Sequence, residues 1–558
     1  MKKYLFLFLL LFTITHFSQE EHAWVYFKDK PGHENYIENP DLILSQKSIL
    51  KKNKKNIPID FTDTPVYQPY IDLILQNENF TYVAKSKWFN FIHLIGDEDL
   101  LQNLSSLDFV DKIIFAKKES RSIIFDKIEI NQTRNDEDNP YNQIEMINLG
   151  FLHDQGFTGE GVSIAVFDSG FKNVNSLSGF ERIRSLNKIK YTYDFVDNTA
   201  ELYQYTGNSH GTLVFSTMAG YIESEFIGTA PDAEYYLFRT EDVSSETPAE
   251  ESFWIEAIET ADSLGVDLTN TSLGYKNYDN INYSYQNYEL DGNTAIITQA
   301  ANMAFSKGII LVNSAGNSSS SGVIAPADSP NVLSIGAVDF LGDYIYFSSQ
   351  GNEFQPTIKP DISAQGYRTF VINSNDQLTR SSGTSFSSPV LAGAIACLYQ
   401  SFPDFSNSKI YNIIRNTPTD IHAKSQRKIS SLININKKMT MYLSKINFEA
   451  NFYNQFYNTE NINKDNKYIS GNYFRTFPII SIGTETPFKI KNFKNNLTYT
   501  PKLKLIVTPG ISNSYKISNE DSSINSYTIE NNSNLNRYSG TDKLDNSKRL
   551  NLSFNIKN

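Results

Sequence analysis

Three residues of this chain have the types that acyl transfer requires: Ser385 in RSSGTSFSSPVLAGAIACLYQ, His210 in GNSHGTLVFSTMAGY and Asp168 in GVSIAVFDSGF. A serine hydroxyl is a poor nucleophile until an imidazole takes its proton, and that imidazole needs a carboxylate to fix its tautomer. Seven histidines compete for the role. His16 lies in the apolar N-terminal segment, His22, His33 and His93 in the first hundred residues, His153 ahead of the first strongly apolar strand, and His422 in polar sequence beyond the serine. His210 alone is followed directly by glycine and then by a small, apolar helical pattern. A fourth residue, Asn317 in GIILVNSAGNSSS, carries a side-chain amide of the kind that donates to an oxyanion.

These residues act only if secondary structure carries them to one place. Val162 to Phe167 is β-branched and apolar and reads as a central parallel strand, with Asp168 at its carboxyl end, where open α/β sheets place their working groups. GIILV reads as a second such strand that breaks into small residues at Asn313. From Pro389 the run VLAGAIACLY is small and apolar nearly all round, as in a helix packed inside a large core. Its N-terminus, beside Ser385, is electropositive and rich in backbone donors. Each residue also has an ordinary reading. Serine and threonine cap helices, histidine often sits at a helix mouth, Asp-Ser-Gly is a turn signal, and asparagine after glycine is common in loops. Turns and caps do not explain why Asp168, His210 and Ser385 all fall at strand or helix ends.

With these residues in place, VFDSG, NSHGTLV, VNSAGN and SGTSFSSP, in that order, resemble the signature blocks of the subtilisin-like serine proteases, the subtilases, of exported bacterial type. GTAPDAEYYLFR from Gly228 and NTSLGY from Asn270 resemble two further blocks, and the likeness runs from about Gln143 to Ile435. The resemblance implies an α/β fold, a mostly parallel sheet flanked by helices. It implies a serine endopeptidase with Ser385 as nucleophile, His210 as general base and then acid, and Asp168 as orienting carboxylate, acting through an acyl-enzyme. Asn317 and the Ser385 backbone N–H would form the oxyanion hole. Ser272, Leu273 and Gly274 would pair with an extended peptide, and Ser314, Ala315 and Gly316 would line the first specificity pocket. None of these wall residues is charged, so neutral or apolar substrate side chains are expected there. No cofactor is required for such catalysis, and the sequence names no ligand set for a structural calcium. The alternative is a catalytically silent surface or binding protein that keeps a subtilase fold.

Composition is consistent with these expectations. At 558 residues and 40% hydrophobic, the chain can bury a large core and form several domains. A net charge of −12 argues against nucleic acid or an anionic membrane as partner. Cys397 is the single cysteine, which excludes intramolecular disulfides, and its place in the apolar helix suits a packing role.

The remaining regions frame the core. MKKYLFLFLLLFTITHFSQ has the positive start and short apolar stretch of a signal peptide over residues 1–18, with a membrane anchor as the other reading; no later run is long and apolar enough to span a bilayer, so a secreted protein is expected. Residues 20–142 read as an α/β unit and linker: AWVYFKDK a strand, Asn39 to Lys54 a helix, SKWFNFIHLIG a strand, then a helix and a final strand. Exported subtilases carry such a unit as an inhibitory propeptide; a permanent extra domain is the alternative. NQTRNDEDNPYNQ would be a cuttable linker. The catalytic domain is placed at 143–439. Beyond it, residues 440–558 read as a β-rich domain from alternating segments such as KLKLIV and LNLSFNI. Proteins or peptides, and the chain's own N-terminal segment, are the expected partners.

Overall fold

The computed structural model describes residues 20–118, 139–416, 425–442, 444–464, 467–490, 497–508 and 548–557. The signal segment, His422 and the linker up to residue 138 lie outside the described residues.

The central sheet has seven strands, all paired in parallel, in the order Ile362–Gln365, Leu333–Val338, Ile310–Ser314, Leu268–Thr271, Ser163–Asp168, Glu234–Arg239, Ile189–Asp194. Every residue of Ser163–Asp168 is buried, as expected of a strand covered by helices on both faces. On one face the helices His210–Ala219 and Thr384–Ser401 pack together, and Val214, Phe215, Ile395 and Ala396 join strand residues Ile164 and Val166 in one core. On the other face lie Ala249–Leu264 and Ile296–Ser306. From Ser163–Asp168 the chain moves first towards one edge and later, at Leu268–Thr271, to the opposite side. The crevice at the carboxyl ends of these two strands is where such sheets bind ligands.

The N-terminal unit is a four-stranded antiparallel sheet in the order Thr81–Ser86, Phe91–Asp97, Glu20–Phe27, Val110–Phe115. Two local expectations are corrected. The helix expected over residues 39–54 is two pieces, a short turn Pro40–Leu42 and the helix Gln46–Lys55, and the Ser45 side chain starts the second by accepting the Ser48 N–H at 3.1 Å. SKWFNFIHLIG holds the expected strand only from Phe91 onward; residues 87–90 are a tight turn that joins it to Thr81–Ser86 as a hairpin. Glu259, from the helix beneath, accepts the Lys87 and Trp88 N–H groups at 2.7 and 3.1 Å, a tertiary interaction that holds the turn.

This unit is joined to the helix Ala249–Leu264 through buried polar groups. Lys52 lies between Asp63 and Asp262 at 3.1 and 2.9 Å, and Lys307 reaches Asp63 at 3.0 Å. His22 Nδ1 lies 3.0 Å from His93 Nε2, while His93 Nδ1 and Trp24 Nε1 both meet Ser252 Oγ at 2.8 Å. Burial pushes the His22 imidazole down to about 4. Burial, with His22 beside it, holds His93 well below its usual range. Released histidines titrate near ~6.5, so docking is fully supported above that pH and weakens as pH falls through the window from ~6.5 towards 4, by up to about tenfold per unit per histidine. Neighbouring Glu21 is paired with Lys117 at 3.3 Å and accepts from Tyr283 at 3.0 Å. Glu256, pushed up to about 7 chiefly by burial, takes up a proton on docking and works in the opposite direction. Amide protection in Glu20–Phe27 and Phe91–Asp97, taken relative to the intrinsic exchange rate at each pH, is therefore expected to fall on acidification more steeply in the wild type than in His22→Gln/His93→Gln. Equal slopes would count against this coupling.

The C-terminal sheet is antiparallel. The strands Ser425–Met441, Ser444–Lys464, Lys467–Glu485 and Leu497–Val507 lie side by side, with Phe488–Ile490 and Lys548–Lys557 both on the last. The first of these strands crosses the junction placed at 439/440. Ser425–Met441 runs unbroken through the 439/440 junction and pairs with its successor from Ser425 against Glu460 to Met441 against Ser444. A short connection after Met441 makes this hairpin partner the nearest one, so residues 425–439 pair within the C-terminal sheet.

Candidate active site

Asp168, His210, Ser385 and Asn317, far apart in sequence, meet at the crevice described above. Asp168 ends its strand fully buried. Its Oδ1 accepts the Ser169 N–H at 2.8 Å, the Ser169 hydroxyl at 3.3 Å and His210 Nδ1 at 2.7 Å. With Nδ1 bound to a carboxylate, the imidazole carries its proton there and leaves Nε2 as the basic nitrogen. Burial pushes the His210 imidazole down, but the Asp168 carboxylate outweighs it through charge and hydrogen bond, helped by Glu241, so the group titrates above its usual range.

The approach of histidine to aspartate depends on Gly211. A Cβ there would fall 2.6 Å from the Gly170 carbonyl oxygen and 3.0 Å from Asp168 Cβ, so only glycine lets the helix His210–Ala219 start this close to the Asp168 turn. Asn208 closes the same corner, its Oδ1 accepting the His210 N–H at 2.7 Å and the Ser169 hydroxyl at 3.2 Å.

On the opposite side the helix Thr384–Ser401 begins after Gly383, whose φ of 150° lies where side chains are disfavoured. Thr384 donates its N–H and its hydroxyl to Asn317 Oδ1 at 2.9 and 3.0 Å, and its Oγ1 accepts the Gly316 N–H at 3.1 Å. With Oδ1 occupied, the Asn317 amide offers its Nδ2 donors to the cleft. The Ser385 N–H, in the first helical turn, has no intrahelical acceptor. Ser272 Oγ donates to the Ser385 carbonyl at 2.8 Å and accepts from Asn270 Nδ2 at 3.0 Å, while Ser388 donates to Asn270 Oδ1 at 2.8 Å. These bonds attach the serine helix to the end of strand Leu268–Thr271. Ser385 Oγ itself donates to the Ser272 carbonyl at 3.3 Å, and no bond from it to His210 is formed among the described residues.

The cleft encloses about 330 Å³. Ser272, Leu273 and Gly274 form one wall, and Ser314, Gly316 and Asn317 another. Ala315 is the exception among the expected lining residues. Its side chain is fully buried against Val323 and Ala327, because successive residues at a strand end face opposite sides. Sequence reasoning passed over Thr384, Asn270, Asn208, Glu241 and Ile324. Thr384 lies inside SGTSFSSP and Asn270 opens NTSLGY, so both stood within segments already singled out. Glu241, on the cleft wall, is pushed up to about 8 by burial and by the Asp168 and Glu246 carboxylates, a setting no local pattern announces.

Comparison with known proteins places this geometry among relatives. Residues 159–433 match the Subtilase family, and residues 22–135 match the Peptidase S8 propeptide domain, Bacteroidota. Subtilisin DY of Bacillus licheniformis is 30% identical over 287 residues, covering 50% of this chain and 92% of that protein. Subtilisin E of Bacillus subtilis (strain 168) is 31% identical over 285 residues, covering 50% of this chain and 66% of that protein. A solved structure of a cold adapted subtilisin-like serine proteinase is similar with a TM-score of 0.38 at 23% identity, over 48% of this chain and 85% of that one. With nine-tenths of one subtilisin's length aligned to the same half of the chain that forms the sheet and its crevice, the chain belongs to the subtilase family of serine proteases.

Proposed function

We propose that this chain is an exported endopeptidase that cleaves proteins or peptides through an acyl-enzyme, with Ser385 as nucleophile, His210 as general base and then acid, and Asp168 fixing the imidazole. The observation that carries the reading is the 2.7 Å bond from His210 Nδ1 to buried Asp168, facing a cleft that Ser385 and Asn317 also line. Attack by Ser385 Oγ on the scissile carbonyl transfers the hydroxyl proton to His210 Nε2. The tetrahedral oxyanion is met by Asn317 Nδ2 and the Ser385 N–H. His210 then returns the proton to the leaving amine, and water repeats the sequence to release the acid. A hydroxyl, an imidazole, a carboxylate and amide donors supply these steps, so no cofactor is required. The family match at residues 22–135 supports a propeptide role for the N-terminal unit, and the lysine-rich apolar start supports export. Among the described residues no helix is long and apolar enough to cross a membrane.

The catalytically silent alternative draws on one observation, the Ser385 hydroxyl engaged with the Ser272 carbonyl. Serine–base bonds commonly tighten only when substrate binds, and rotation of a single side-chain torsion redirects this hydroxyl. Labelling with a serine-directed fluorophosphonate decides between the two. The wild type should label and Ser385→Ala should not. Because the base must be neutral and His210 is held above its usual range, the labelling rate should rise with pH through a midpoint above ~6.5. No labelling at any pH would overturn the proposal.

A further inference from the structure

We propose that Ile324 fills the pocket for the substrate side chain on the acyl side of the scissile bond, the P1 residue, and restricts the enzyme to small P1 residues: glycine, alanine and serine. The inference rests on the protease reading above and names its substrate class. Ile324 lines the cleft between the Ser272–Gly274 and Ser314–Gly316 walls. A Cβ built on Gly274 would fall 2.4 Å from both Cδ1 and Cγ1 of Ile324, and one built on Gly316 would fall 3.1 Å from the same Cδ1. One isoleucine therefore touches both walls. The two glycines make the gap, and the isoleucine occupies it.

Neither side of this arrangement is free to yield. The Ile324 N–H donates to the Ala315 carbonyl at 3.4 Å, and its carbonyl accepts the Ala327 N–H at 2.9 Å. Next to it, Ala325 exchanges both backbone bonds with Tyr275 at 3.2 and 2.8 Å. Asn313 Nδ2 donates to the carbonyls of Leu273 and Ser314 at 3.0 and 2.9 Å, fixing the separation of the walls. A β-branched side chain on so constrained a backbone has few rotamers to move into. A substrate methyl or hydroxymethyl group needs little room, whereas leucine or phenylalanine enters only by overpacking against Ile324.

The test uses fluorogenic peptides that differ only at P1 (Ala, Ser, Leu, Phe, Lys), cleaved by the active enzyme obtained from the full chain and by Ile324→Gly. The wild type should favour Ala over Phe by about a hundredfold in kcat/KM, and Ile324→Gly should raise cleavage after Phe by a similar factor while changing Ala little. Should Ile324→Gly fail to fold, Ile324→Val and Ile324→Ala give the same trend in smaller steps, and the wild-type ratio is read without any variant. A labelled, active wild type that cleaves after Phe or Leu as fast as after Ala overturns this inference alone. An enzyme that neither labels nor cleaves any peptide overturns the protease reading and the inference with it.

Discussion

Ser385→Ala and His210→Ala are each expected to lower kcat by about a millionfold, and Asp168→Asn by about ten-thousandfold, with KM little changed; the first magnitude is that of triad serine and histidine knockouts in subtilisin, the second that of aspartate-to-asparagine in a chymotrypsin-type triad. The reason lies in the part that the proposed mechanism gives each atom. Without Ser385 Oγ no acyl-enzyme forms. Without His210 Nε2 the hydroxyl keeps its proton. An asparagine at 168 still hydrogen bonds to Nδ1 but favours the wrong tautomer, placing the proton on the nitrogen that must accept one. Since the three act as a unit, Ser385→Ala/His210→Ala should be little slower than either single variant. Residual hydrolysis should remain about a thousandfold or more above the uncatalysed rate, through binding and the oxyanion donors. Steady-state kinetics on purified proteins of matched circular dichroism check this, and wild-type-like turnover in Ser385→Ala would sink the assignment. If maturation is the chain's own reaction, N-terminal sequencing should find the active protein starting between about Ile124 and Asn142, and Ser385→Ala unprocessed.

Asn317→Leu is expected to cost about a hundred- to a thousandfold in kcat, again with KM nearly unchanged, because in the proposed mechanism its amide meets a charge present only in the transition state; removing an oxyanion-hole asparagine from subtilisin has a loss of this size. The structure adds a second, smaller effect. Thr384 holds Asn317 Oδ1 through both its N–H and its hydroxyl, at 2.9 and 3.0 Å. Thr384→Val removes one of those two bonds, so the amide should be less well aimed and kcat should fall by about tenfold. In Asn317→Leu/Thr384→Val the threonine has no amide left to aim and only its bond from the Gly316 N–H is lost, so the double variant should lie close to Asn317→Leu. Full additivity, or a rise in KM in place of the fall in kcat, would show that Thr384 acts on something else.

Much of this site was legible in the sequence because its chemistry is local in kind. Asp168, His210, Asn317 and Ser385 each stand where a strand or helix pattern breaks into small residues, and that break is a property of neighbouring residues in the chain. The glycine after His210 was visible too, though not its purpose, which is to admit the Asp168 turn within van der Waals distance. The antiparallel C-terminal sheet followed from period-two alternation. The strand Ser425–Met441 was not singled out, because alternation indicates that a segment is extended and leaves its partner unspecified.

Residue types, their order and the family resemblance they carry thus indicated the α/β class and picked out Asp168, His210, Asn317 and Ser385 as the residues to watch. What the sequence could not determine were distances between elements remote along it. Tertiary structure alone decided that Glu259 holds the turn at residues 87–90, that Thr384 holds Asn317, that Ala315 faces away from the cleft and that Ile324 stands between Gly274 and Gly316. Each of these depends on where a side chain lies relative to another element after the sheet has twisted and its helices have packed. Such positions follow from the summed packing of the whole core, and no short window of sequence contains that information.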